Sequence, residues 1–531
     1  MKKIFFTLII LLLTLVGMAY LYFSRLNKEN SYNETSLYAA AANSGLIFSV
    51  QNDKSIFDIL KGQDLFEHLI GRQKFNQLRG LKDRIMSSPA VNPLIAGKNI
   101  FISFSAGKAK NIDFLISTQL NNEKDKSLLL QALQSGGFKI SDAGGIKLLQ
   151  LNDSTSFYLG TEKNLILLSG SPEPVKQALN FKHTPASLDF ISYIRSNSKL
   201  GKNSVGNLYI DYTRIPALLK AILPGNLNGN LSPLKQQSSY TAMSYNFSRA
   251  HLFFNGNLQL NSSSSYISLF AALEPQKNNI DNLLPKETAN FSLYVIPDYK
   301  KWRIKLNEWF ALHKEDAAMK KIIENTDREY HLNVNGIFPE YFKNQLIIFQ
   351  LGSSRELGAI SLTNGDKVKQ LLIDISEDYG PDIKKFKVTG LLYCYFGEPF
   401  KKFGRPFYTI IDNHMVFASQ PEALQLFLES YRNNQLLVNQ REYINLFSQI
   451  SNVTNVTFYL NPKNSDGLVR NTVYLPYYRH FHSAEGLGKF NGVIYQLSGD
   501  KGNFQTSLLM NTKAESHAQT ADSTLTITQP E

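Results

Sequence analysis

The sequence predicts an α+β protein in which two diverged tandem copies of an antiparallel-sheet-plus-helices unit follow one N-terminal transmembrane helix. Three observations carry that prediction. An uncharged run occupies residues 4–23. Ordered similarities recur through the body at a spacing of about 246 to 250 residues. Short segments rich in Phe, Ile, Leu and Tyr alternate with segments of helical period, in the same order in both copies.

The run begins after Lys2 and Lys3, and twenty residues at about 1.5 Å rise span roughly 30 Å, the thickness of a hydrocarbon core. Tyr20, Tyr22 and Phe23 close it where aromatic rings favour the interface, and Arg25 and Lys28 follow. Residues 1–28 therefore read as a signal-anchor in the inner (cytoplasmic) membrane, with the bulk of the chain periplasmic or extracellular. The alternative is secretion after signal cleavage, because Gly17-Met18-Ala19 has the small-x-small form of a cleavage site.

Beyond the leader, Leu46-Ile47-Phe48-Ser49-Val50 corresponds to Ser292-Leu293-Tyr294-Val295-Ile296. Residues 100–104 and 114–117 find counterparts at 346–350 and 359–362, and 164–169 at 413–419. Residues 207–211 match 455–461, and 243–258 match 493–508. These matches place a first unit at 44–261, a linker at 262–287 and a second unit at 288–511. The tail, 512–531, is poor in apolar residues and reads as disordered. Ile56, Ile59, Leu60, Phe66, Leu69 and Ile70 mark a long helix in the first unit, and Trp302, Leu306, Trp309 and Phe310 mark its counterpart. Turn chemistry such as Asp142-Ala143-Gly144-Gly145 and Thr363-Asn364-Gly365-Asp366 separates the strands, and hairpins imply antiparallel pairing. Whether the two sheets merge is left open by the sequence.

Composition narrows the class. With 43% hydrophobic, 12% aromatic and 19% charged residues among 531, the chain is neither disordered nor a polyelectrolyte. Its lone cysteine, Cys394, excludes an intramolecular disulfide and a cysteine-based metal site.

Candidate chemistry is sparse. Ser169 and Ser419 stand at strand-to-helix turns, but the G-x-S-x-G elbow is absent and Pro-Glu follows each, as a helix start requires. Asp53, Asp298, Asp211 and Asn461 read as caps at similar junctions. His480 and His482 would share one face if they lay on a strand, which makes them the weak metal candidates, set against an exposed aromatic loop. Asp374, Glu377, Asp378 and Asp382 cluster without the spacing of a calcium loop and read as a solvated turn. No H-E-x-x-H, P-loop or dinucleotide fingerprint occurs, so no cofactor and no catalytic residue is expected.

The formal charge of +12 is locally concentrated. Arg72, Lys74, Arg79, Lys82 and Arg84 fall in one expected helix, and Lys300, Lys301, Arg303 and Lys305 in its counterpart, with Lys384, Lys385, Lys387, Lys401, Lys402 and Arg405 further on. Such a basic face suits anionic headgroups, acidic glycans or an acidic protein, whereas an exported body would not meet nucleic acid. The leader, the doubled α+β unit and segments such as Phe291-Ser292-Leu293-Tyr294-Val295-Ile296-Pro297-Asp298 resemble a group of uncharacterised bacterial envelope proteins carrying a conserved domain of unknown function. That resemblance implies no catalytic residues. The expected function is a non-catalytic, membrane-anchored binding or scaffolding role towards an envelope protein, lipid or glycan. The alternative is an exported hydrolase with a site between the units, built from His414, His480 and His482.

Overall fold

The computed structural model describes residues 34–42, 44–51, 76, 80, 88–107, 110–152, 155–182, 184–198, 204–225, 238–246, 251–483 and 486–512. In the first half the strands are β1 Leu46–Gln51, β2 Asn99–Ala106, β3 Ile112–Gln119, β4 Lys139–Asp142 and β5 Lys147–Asn152, then β6 Thr155–Glu162, β7 Leu165–Ser169, β8 Gly206–Asp211, β9 Ser239–Asn246 and β10 His251–Leu260. After a two-residue β11, Gln276–Lys277, the second half has β12 Thr288–Val295, β13 Phe342–Leu351, β14 Glu356–Leu362, β15 Ser376–Asp378 and β16 Lys384–Phe386. It continues with β17 Phe407–Ile411, β18 His414–Ala418, β19 Val453–Thr454, β20 Val456–Leu460, β21 Phe490–Asp500 and β22 Asn503–Thr512.

All but β11 and β19, which pair with each other, belong to one 20-stranded antiparallel sheet. In the first half the strands lie in the order β4-β5-β6-β7-β3-β2-β1-β8-β9-β10. The second half follows the same pattern as β15-β16-β17-β18-β14-β13-β12-β20-β21-β22. A ladder from His251↔Asn511 to Leu258↔Phe504 joins β10 to β22 and makes the sheet continuous.

The expected architecture is thereby corrected on two counts. In place of two tandem units there is one sheet with helices, because the last strand of each half finds its open-edge partner in the other. No helix among the described residues is long and apolar enough to cross a membrane. The run at 4–23, on which the transmembrane expectation rests, lies outside the described residues. What holds is the mixture of helices with antiparallel strands.

Period-two alternation divides the core between the two faces of the sheet. On β12, Tyr294 joins one cluster while Phe291, Leu293 and Val295 join another. On β13, Leu346 and Ile348 face one way and Ile347, Phe349 and Leu351 the other. Helices cover both faces, so the inner strands are apolar on both sides. β7 is buried at every position and β13 at most of its length. Hairpin loops set the register. Asp412-Asn413, at φ 45° and 59°, and Lys501-Gly502, at 49° and 88°, are two-residue loops whose left-handed conformations match the strand twist. The outermost strands, β4 and β15, are short and carry Lys139, Asp142, Glu377 and Asp378, which discourages pairing with another chain.

Residues 262–287, read as a linker, contribute to the core. Tyr266 and Phe270 are buried against Tyr294 and Trp302, with ring centroids 5.3 to 6.4 Å apart. The Gln345 side-chain oxygen accepts hydrogen bonds from the backbone N–H groups of Asn279 and Ile280, at 3.0 and 2.9 Å. Across the junction of the halves, Tyr212 and Tyr495 share a hydroxyl hydrogen bond of 3.0 Å.

Candidate functional site

The basic residues of the sequence analysis meet different fates. Arg72, Lys74, Arg79, Lys82 and Arg84 lie outside the described residues. Lys300, Lys301 and Arg303 lie on α1, Tyr299–Leu312, which starts where Pro297-Asp298 ends β12. The Asp298 carboxylate accepts a hydrogen bond from the Lys301 N–H at 3.1 Å and caps the helix. That bond holds the carboxyl below its usual range.

At about 100° per residue, Trp302, Leu306, Trp309 and Phe310 fall on one side of α1, and all four are buried. Tyr266 stands edge-on to Trp302 and Trp309, and the Trp309 indole N–H donates to the Ser264 carbonyl at 2.9 Å. Arg303 sits at the margin of this buried side. Its guanidinium donates to the Cys394 carbonyl and lies 5.0 Å from the Tyr395 ring centroid, so it braces the core and is removed from the basic surface.

The opposite side is exposed and mixed. Lys300, Lys301 and Lys305 share this side with Ile304 and Leu312, which are 60% and 58% exposed. Lys301 approaches Asp298 at 3.4 Å, and Lys305 covers Glu308 at 2.8 Å. Three basic residues further along the second half are paired with acids. Lys401 meets Glu315 at 2.8 Å, Lys402 meets Glu356 at 2.9 Å, and Arg405 lies 3.9 Å from Glu377. Burial raises the Glu315 carboxyl, but hydrogen bonds from Lys401 and Tyr393 outweigh it and leave the net shift downward. The acidic turn is covered likewise, Asp378 by Lys384 and Asp382 by Arg432.

His480 and His482 belong to a helix, α2, Leu475–His482, with Pro476 in its first turn. The strand geometry that would aim both rings one way is absent. On a helix, positions i and i+2 point about 200° apart. His482 Nδ1 lies 2.7 Å from Asp466, and its ring stacks on Tyr478 at 5.7 Å. Among the described residues no group of three or more His, Cys, Asp or Glu side chains is placed to hold a metal. His414 sits on β18, a separate element from α2, and burial lowers its basicity.

Other reactive side chains have structural partners. Ser169 is buried and donates to the Phe114 carbonyl at 2.6 Å, tying β7 to β3, while Ser171 occupies the N-cap position two residues on. The capping expectation for Ser169 is thus displaced along the chain. Cys394 is buried against Met319, which pushes its thiol up to about 12. Asp281 is buried and accepts from the Tyr443 hydroxyl at 2.6 Å. A cavity of about 10 Å³ on the first half is lined by aliphatic side chains including Ile116, Leu129, Leu159 and Ile166, with Thr118 the one polar group. It is about large enough for one water molecule and contains no reactive group.

No family model matches the chain, and no curated protein or solved structure is significantly similar to it.

Proposed function

We propose that the protein is a non-catalytic binding or scaffolding protein of a bacterial envelope, acting through the outer surface of its helices. One observation carries the reading. Among the described residues, the buried Asp281 and Cys394 and the half-buried His414 stand on separate elements, each engaged locally, with no nucleophile, base and orienting group converging. The apolar leader supports export, and the mixed basic and aliphatic surface of α1 supports a partner of acidic or amphipathic character. Envelope proteins, lipids and glycans all meet that description.

The test is in-cell crosslinking of the full chain in membranes, followed by identification of what is captured, alongside turnover assays on ester, peptide and glycoside substrates. Reproducible capture of an envelope component with no turnover is expected. Hydrolysis that disappears in a His480→Ala, His482→Ala variant would replace this reading with an enzymatic one.

A further inference from the structure

We propose that the outward side of α1 docks on an anionic lipid surface, with Ile304 and Leu312 entering the headgroup layer and the surrounding lysines contacting phosphates. This deepens the binding role proposed above by naming the ligand class.

Helical geometry makes the argument. Taking Lys300 as the origin and about 100° per residue, Ile304 falls at about 40°, Glu308 at about 80° and Leu312 at about 120°. Lys300, Lys301 and Lys305 fall at about 0°, 100° and 140°. The exposed arc therefore runs Lys300, Ile304, Glu308, Lys301, Leu312 and Lys305, so that each aliphatic side chain has a lysine next to it in angle. This is the arrangement of a surface that sinks apolar tips while cations stay at the phosphate level. The buried arc is fixed to the core by both tryptophans of the chain, so the exposed arc is presented rigidly, and little further ordering opposes docking. Glu308, the one acidic group within the arc, is held by Lys305 at 2.8 Å and presents a neutral pair. Lys300 forms no ion pair among the described residues, and the exposed Lys314 follows directly after the helix.

Two other exposed aliphatic side chains lack this setting. Ile373 adjoins Asp374, an exposed carboxylate with no ion pair among the described residues, which would repel anionic headgroups. Ile444, 53% exposed, belongs to the helix Arg441–Phe447, which packs on the opposite face of the sheet from α1.

The experiment places an environment-sensitive fluorophore on the full chain through Ile304→Cys, Leu312→Cys or, as control, Ile444→Cys. The native Cys394 is buried and does not compete for label. Phosphatidylcholine vesicles with and without phosphatidylglycerol are then added. Probes at 304 and 312 are expected to shift to the blue with the anionic vesicles only, and salt should reverse the shift, while the probe at 444 stays unchanged. Ile304→Asp with the probe at 312 should weaken binding by about tenfold. Each of Lys300→Glu and Lys305→Glu should weaken it by roughly fivefold or more. An absent shift at 304 and 312, an equal shift with neutral vesicles or an equal shift at 444 overturns the proposal. A shift that grows with protein concentration before vesicles are added would assign the surface to a second copy of the chain, and would overturn it equally. The crosslinking result above stands or falls independently of these outcomes.

Discussion

Placing a methyl group on Gly256 asks whether the 20 strands unfold as one body. Gly256 lies on β10, between Met243 of β9 and Thr506 of β22. A Cβ there would stand 1.9 Å from the Ala242 carbonyl oxygen and 2.7 Å from the Met243 Cα, both backbone atoms of β9. Ordinary contact needs about 3.5 Å, so β9 would have to withdraw by roughly 1.5 Å beside the junction of the halves. Overpacking of this kind costs about 1–3 kcal/mol, and one or two distorted ladder bonds add about 1 kcal/mol each. The reduced freedom of the unfolded Gly256→Ala chain returns about 0.4–1 kcal/mol. The net loss is about 2–4 kcal/mol, or roughly 1 M in urea midpoint at a slope near 3 kcal/mol per M.

Two probes make the assay decisive. Far-UV circular dichroism reports the whole sheet, whereas fluorescence reports Trp302 and Trp309, both on α1 in the second half. The substitution lies in the first half. Both transitions are expected to move together to lower urea. A fluorescence transition that stays in place while the dichroism splits into two steps would show halves that unfold separately, and an unchanged midpoint by both probes would show that β9 absorbs the methyl group without loss.

Cys394 should resist Ellman's reagent at pH 8 in the native protein and react at once in urea, because its thiol is buried and its pKa is raised to about 12. Phe270→Ala should cost about 3–5 kcal/mol by thermal or urea unfolding, since the ring is fully buried against Tyr294 and Trp302. Burial raises the Asp281 carboxyl, and the Tyr443 hydrogen bond only partly offsets it. Its contribution to stability is therefore complete below the unfolded pKa and is lost as pH rises through the higher folded one. Asp281→Asn should flatten that decline, by about 1.4 kcal/mol for each unit separating the two values, in urea midpoints measured from pH 4 to 8.

Local signals were readable and long-range ones were not. The alternation in residues 291–296 tells which side chains share a sheet face, and Pro297-Asp298 announces the start of α1, because both effects act within a few residues. The inward turn of Arg303 was within reach, since it adjoins Trp302 and lies one turn from Tyr299 and Leu306. Charge alone concealed it. Residues 262–265 look like a linker by their serines, yet Tyr266, Ile267, Leu269 and Phe270 behind them are an apolar run that belongs in a core. Pro476 one residue into the histidine segment is a helix-start signal that the aromatic composition overshadowed. The β10–β22 ladder has no such trace. Its partners are separated by about half the chain, and cross-strand fit leaves no pattern in either strand alone.

That ladder also imposes a timetable on biogenesis. Leu260 meets Asn503 across 243 residues, so the edge of β10 emerges from the ribosome long before the segment that will cover it. Through that interval the leading half presents an open row of backbone donors and acceptors to any other nascent chain. A holding chaperone, or passage through the membrane before folding, would guard the cell against mispairing there.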